Sequence, residues 1–246
     1  EEGVYSLKDI PEDFKLTEKQ EIQRECAVKN KPFVHKEKLK HFLKTLKYPL
    51  SFLDFETFST AVPKFDGLKP YSQVCFQYSL HLIDKEGSEA KHFEFLYSGD
   101  SDPREEFIKK LKEDLKDSGS VIVYNESFEI SRLKELALSF PSYKEWVEGV
   151  ISRIVDLWVV FRGFIYYHPD QEGSASIKKV LPALTGKGYT DMDIAEGNTA
   201  SVEFIRMAYG DCSEIERVKI RDGLLRYCCL DTLAEVMILE KLRGLI

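Results

Sequence analysis

With 246 residues and 43% hydrophobic content, the chain can bury one substantial core and an appendage without needing two full domains. Its formal net charge of −7 excludes a uniformly basic, phosphate-coating surface, and the lack of a membrane-length apolar run or a signal sequence gives the expectation of a soluble, cytoplasmic protein with no membrane partner. Five cysteines, Cys26, Cys75, Cys212, Cys228 and Cys229, form no C-x-x-C pair, so neither a zinc site nor a disulfide framework is indicated.

Residues 1–49 read as a helical N-terminal extension or linker. Thr17 and Gln20 make a capping box ahead of EIQRECAVKN, and Lys36 to Lys47 predict a second helix. Pro11, Pro32 and Pro49 punctuate this stretch, and Pro49 sets a natural boundary before the first strand. From Ser51 the runs SFLDF, QVCFQYSLHLID and KHFEFLYS predict a three-strand meander. Asp102 to Asp117 opens with an acidic cap and a proline, then shows helical spacing, crossing to a strand at Val121 to Tyr124. A helix over Phe128 to Phe140, a strand over Ile151 to Leu157, and helices from Ser176 and Ile215 complete the alternation expected of an α/β fold, a mixed five-stranded sheet flanked by helices over residues 50–246. No internal repeat or low-complexity tract is present. The first residue, Glu1, is what a fragment or a processed product is expected to show.

Charge is unevenly spread. Lys29, Lys31, Lys36, Lys38, Lys40, Lys44 and Lys47 share a segment whose sole acid is Glu37. Such a run suits either a phosphate-facing flank or a solvated helix face.

The chemistry-bearing residues begin with LDFETF. Asp54 and Glu56 stand two apart in a predicted strand, so their carboxylates project from one face while Leu53 and Phe55 point the other way. Converging anions among apolar neighbours call for a cation. Downstream, VIVYNESFEISRLKEL runs from a strand into a helix that carries Glu129, and RYCCLDTLAEVMILEKL puts Tyr227 and Asp231 four apart on one helix face. Each residue also has a plainer use: turn capping or lysine pairing for Asp54 and Glu56, macrodipole stabilisation for Glu129, core packing for Tyr227. Asp156 is expected to cap the helix after its strand, and His168 in YYHPDQEG to be an exposed loop histidine.

This ordered set resembles the DEDD exonuclease superfamily, the DnaQ-type branch of the RNase H-like fold, in its tyrosine variant. The likeness rests on D-x-E at Asp54 and Glu56, the helix acid Glu129, and Y-x-x-x-D at Tyr227 and Asp231. RIVDLW and SIKKVLPALTG resemble the family's segments between the second and third motifs, and the likeness spans roughly residues 50 to 246. More narrowly, GLKPYSQVCFQYSLH, YHPDQEGSASIKKVLPAL and YCCLDTLAEV resemble an uncharacterised prokaryotic family with a C-terminal DnaQ-like domain, whose longer members carry a RecB-like nuclease region upstream. Glu129 departs from the family pattern, which has Asp, and its extra methylene alters the reach to a metal.

The resemblance implies a metal-dependent 3′–5′ exonuclease acting on the 3′ end of DNA or RNA. Asp54, Glu56, Glu129 and Asp231 would ligate two Mg²⁺ or Mn²⁺ ions about 4 Å apart, with Asp54 bridging both and Tyr227 orienting the attacking water. Thr57 by hydrogen bonding and Phe58 by stacking are expected on the terminal nucleotide. Asn125 would meet substrate or satisfy its turn, and Lys178 would reach a phosphate or face solvent. The rival expectation is a catalytically weak or inactive nucleic-acid or protein interaction module on the same fold.

Overall fold

The structure, a computed structural model, describes residues 3–189, 192–194 and 196–246. Numbered in chain order, the strands are β1 (Phe33–Val34), β2 (Leu50–Phe58), β3 (Val74–Ile83), β4 (Lys91–Leu96), β5 (Ser120–Val123), β6 (Ile154–Asp156) and β7 (Tyr166–Tyr167). The α-helices are α1 (Glu18–Lys29), α2 (Lys36–Thr45), α3 (Arg104–Asp114), α4 (Glu126–Ser139), α5 (Lys144–Ile151), α6 (Trp158–Arg162), α7 (Ile177–Thr185), α8 (Gly197–Tyr209) and α9 (Glu214–Arg243). The chain groups into two compact units, one of Glu1–Thr45, Leu157–Gly188 and Met237–Ile246, the other of Leu46–Asp156 and Tyr189–Val236.

In the first unit, Thr17 caps α1 as its sequence foretells: its hydroxyl accepts from the Gln20 amide while the Gln20 side chain takes the Thr17 amide. α2 buries Leu39 and Phe42 and leaves Lys36, Lys38 and Lys44 exposed. Lys40 pairs with Glu37, and Lys29 of α1 with Glu25. β1 and β7 form a short antiparallel ribbon that no sequence signal announced, Phe33 opposite Tyr167. Phe164 stacks on Tyr167 at 4.9 Å beside it.

The second unit holds the five-stranded sheet, in the order β4-β3-β2-β5-β6. β2, β3 and β4 form the expected antiparallel meander, and β2, β5 and β6 run parallel. The α/β class and the mixed sheet between helices are therefore as the sequence predicts. Alternation along β2 sorts its side chains. Leu53 and Phe55 enter one core with Tyr78 and Leu80 of β3, Phe107, Ile108 and Leu111 of α3, Leu133 and Leu136 of α4, and Val147 and Val150 of α5. Phe58 enters a second core with Phe76 of β3, Ala200, Phe204 and Met207 of α8, and Ile220, Leu224 and Tyr227 of α9. Asp54 and Glu56 share parity with Phe58, so they face α8 and α9.

A β-bulge sharpens this face. The β2–β3 register passes from Glu56 opposite Gln77 to Thr57 opposite Cys75, leaving Phe76 as the extra residue. Phe76 then stacks flat on Phe204 at 3.9 Å, while Gln77 donates to the Leu224 carbonyl at 2.7 Å. At the other end of β2 the chain closes on itself. Gly119 has φ +80°, and a Cβ there would lie 1.9 Å from the Pro49 carbonyl oxygen, so only glycine fits ahead of β5.

Two helices were not anticipated. α5 ends on Ile151, the residue expected to open the last strand, and that strand is confined to Ile154–Asp156; Val147 and Val150 bury the helix's apolar side behind Pro141. α8 opens on Gly197 and Asn198, a turn-like start that masks the helical spacing of Ala200, Phe204 and Met207. Among the described residues, no helix is long and apolar enough to cross a membrane.

Candidate metal centre

Three acids from two distant segments of the chain meet on the α9-facing side of the sheet. One carboxylate oxygen from each of Asp54, Glu56 and Asp231 lies within 4.8 Å of the others. β2 supplies the first two by its two-residue repeat, and α9 supplies the third. An octahedral magnesium ion with bonds of about 2.1 Å holds opposite ligands roughly 4.2 Å apart, so this trio needs little adjustment to accept one.

Glu129 reaches the same region from the first turn of α4. It is 2% exposed, and its Oε2 has no hydrogen-bond partner. Burial, and after it the charge of Asp54, pushes its carboxyl well above the usual carboxylate range. Glu235, which the sequence reading passed over, behaves alike. It is 1% exposed with an unpartnered Oε2, and burial followed by Asp54, Glu129, Asp231 and Asp156 drives its carboxyl strongly upward. The signal for Glu235 was present: it stands four residues after Asp231 on one helix and so shares its face.

Two phenols border the acids. Tyr227 is buried, and burial together with Asp231, Glu56 and Asp54 raises its pKa beyond reach, so it stays a neutral donor. Tyr189 donates to Asp231 Oδ1 at 2.6 Å, and its own pKa is raised by burial and then Asp231. No periodic pattern surrounds Tyr189, and its role was not legible. The Cys228 thiol sits 3.7 Å from Asp54 Oδ2, held protonated by burial and the neighbouring carboxylates. The start of α8 also approaches the trio; a Cβ on Gly197 would lie 3.6 Å from Glu56 Oε2, which puts the helix's positive end near that carboxylate.

The remaining expected residues divide. Thr57 is part-buried and donates to Gln73 Oε1 at 2.7 Å. Phe58, expected against a terminal base, is 1% exposed and wedged among Phe65, Phe76, Phe204 and Tyr209, so core packing occupies its ring. Asn125 serves its turn: it adopts φ +81°, its amide donates to Asp156 Oδ1 at 2.9 Å, and its side chain accepts from Ser127. Asp156 thus steadies the entry to α4. Lys178 lies on α7 in the first unit, while the acids all belong to the second. His168 is only part-exposed, with Nδ1 accepting from the Asp170 amide.

A cleft of about 310 Å³ in the second unit begins beside Thr57 at its partner Gln73 and is lined in part by Lys69, Arg104, Arg132 and Glu135. Arg132 follows Glu129 by three residues on α4 and acts electrostatically on it. The cleft therefore holds one cation, Arg132, that acts on the acidic cluster, and it and Arg104 are paired with Glu135 and Asp102.

Residues 51–176 match a family described as "Domain of unknown function (DUF2779)". The chain is similar to the "Uncharacterized protein MG366 homolog" of Mycoplasma pneumoniae, 27% identical over 220 residues that cover 82% of this chain and 33% of that protein. It is similar to "Uncharacterized protein MG366" of Mycoplasma genitalium, 27% identical over 236 residues covering 88% and 35%. "Uncharacterized protein UU173" of Ureaplasma parvum is 27% identical over 217 residues covering 78% and 31%. The chain spans about a third of the length of these relatives. No solved structure matches it.

Proposed function

This chain belongs to the DUF2779 family, and on the convergence of Asp54, Glu56 and Asp231 we propose that it is a metal-dependent nuclease of the RNase H-like, DnaQ-type kind, cutting phosphodiester bonds from a 3′ end. The carrying observation is that trio together with the two carboxyls buried against it. Glu129 and Glu235 each bury an unpartnered oxygen among like charges, an arrangement that a cation relieves.

Asp54, Glu56, Asp231 and Glu129 would hold Mg²⁺ or Mn²⁺, since carboxylate oxygens are hard ligands. Such ions, when bound, acidify a water for attack on phosphorus and offset the phosphate's charge. The protein's own groups do the positioning. Tyr189 steadies the Asp231 carboxylate by donating to Oδ1 at 2.6 Å. Tyr227, kept neutral, offers a hydrogen bond to the attacking water or a phosphate oxygen and is no base at neutral pH. Lys69, Arg104 and Arg132 line the path on which a phosphate backbone would lie. The same proposal extends to an upstream RecB-like nuclease region in the full-length protein.

The test is a 5′-labelled oligonucleotide incubated with chelator-treated protein and then with Mn²⁺ or Mg²⁺. Stepwise shortening from the 3′ end is expected only with metal, with Asp54→Asn inert and a circular single strand untouched. Equal degradation by Asp54→Asn would remove the proposal, and cutting of the circle would replace the exonuclease with an endonuclease.

A further inference from the structure

A second cluster lies on the other side of α9. His81 of β3 and His92 of β4 are directly opposed across the antiparallel ladder, and their rings stack at 4.5 Å with a 27° tilt. Cys229 of α9 comes down on them; one ligand atom from each of the three lies within 4.8 Å of the others. Cys229 precedes Asp231 by two residues, which turns it about 160° round the helix from that carboxylate. The donors are imidazole and thiol, softer than the oxygens of the first cluster.

Two hydroxyls tie the cluster together from behind. Thr232 Oγ1 lies 3.2 Å from the Cys229 carbonyl oxygen and hydrogen-bonds His81 Nδ1 at 2.8 Å and Ser79 Oγ at 2.7 Å. Ser79 Oγ in turn hydrogen-bonds His92 Nε2 at 2.9 Å. Each ring thus has one nitrogen held by a hydroxyl, His81 by Nδ1 and His92 by Nε2, and the other nitrogen of His92, Nδ1, stands 3.9 Å from Cys229 Sγ. Burial favours the neutral imidazoles, bringing His81 to about 4 and lowering His92 as well.

Hydroxyls that hold the far nitrogen of each ring are the outer-shell arrangement of histidine metal ligands. From this geometry we propose that His81, His92 and Cys229 bind one divalent ion of the zinc class, separate from the carboxylate centre. A tetrahedral zinc with nitrogen at about 2.0 Å and sulfur at about 2.3 Å spaces its ligands roughly 3.3 to 3.6 Å apart, so the cluster closes by about 1 Å on binding. The thiol proton now shared toward His92 leaves to solvent as the thiolate takes the ion. The fourth position opens toward solvent at the exposed His92, within the field of Glu94, whose charge acts on both Cys229 and His92. The ion ties the β3–β4 edge to α9.

Cobalt(II) titration of the chelator-treated chain tests this. One equivalent is expected to produce thiolate-to-metal charge-transfer absorption with the visible bands of a four-coordinate ion, and zinc should displace it. Cys229→Ser should abolish the charge-transfer band, while Cys26→Ser, Cys212→Ser and Asp231→Asn keep it. Thr232→Val should retain the band but weaken the affinity about 10- to 100-fold, since only the orienting hydroxyl is lost. A band that survives Cys229→Ser, or disappears in Asp231→Asn, overturns the proposal. X-ray absorption of the zinc-loaded wild-type protein decides without any variant: two imidazole nitrogens and one sulfur support the site, and an all-oxygen shell refutes it.

Discussion

The two flanks of α9 take the same helix and give it different chemistry. On one, Tyr227, Asp231 and Glu235 meet Asp54 and Glu56 of β2 and Glu129 of α4, a set of oxygens with too much negative charge. On the other, Cys229 and Thr232 meet Ser79, His81 and His92, a neutral set whose hydrogen bonds are nearly all satisfied. On the proposed function the acidic flank calls for a cation to offset its charge, while the imidazole flank is stable without one. A buried carboxylate repelled by its neighbours needs a counter-charge, whereas a buried neutral imidazole needs only a partner for its N–H.

The largest test of that contrast is reciprocal loss. Asp231→Asn should cut metal-dependent nuclease turnover by on the order of 100- to 1,000-fold, as loss of a group aimed at transition-state charge does, and leave the cobalt–thiolate spectrum intact. Cys229→Ser should do the reverse, and a variant that removes both readouts together would merge the two sites into one.

Next in size is the pH dependence of stability in chelator, where the flanks pull in opposite directions. His81 is lowered from 6.5 to about 4, so the unfolded chain binds the extra proton and stability falls as pH drops through that window, by up to roughly 3 kcal/mol. Glu129 and Glu235 are raised above 4.5, so the folded chain binds the extra protons and stability falls as pH climbs above the ordinary carboxylate range. The two windows overlap between about pH 4.5 and 6.5, where two carboxyls outweigh one imidazole, so thermal stability should decline from about pH 4.5 toward pH 8, and Mn²⁺ should flatten that decline.

Glu235→Gln is smaller and more local. Replacing a repelled buried carboxyl with a neutral amide that can donate to its neighbours should stabilise the metal-free protein by about 1 to 3 kcal/mol, read as a rise in Tm near neutral pH. A fall in Tm would mean that the acidic flank is already compensated. Tyr189→Phe should have the least effect, about 1 kcal/mol in stability, with a larger fractional loss of metal affinity because Asp231 is freed to rotate.

The acidic flank was legible in sequence because each of its parts obeys a short-range period. Asp54 and Glu56 needed only the two-residue repeat of a strand, and Tyr227 and Asp231 only the helical turn. Glu235 was readable by the same rule. The imidazole flank depends on the register between β3 and β4 and on which side of α9 meets them, and neither is written in local spacing. No C-x-x-C pair marks Cys229, because its companions are histidines on two strands. Phe58 misled in the other direction: its place after the D-x-E motif pointed to a base, but strand parity had already turned it toward α8. α8 itself was lost behind Gly197 and Asn198, and with it the helix end that approaches Glu56.

Because residues 227 to 235 serve both flanks, their rotational phase is locked twice. Inserting one amino acid between Cys228 and Asp231 would swing everything beyond it by about 100° and would misalign either the carboxylates or the thiol, whichever the sheet failed to hold. Length variation here should be tolerated only in whole turns.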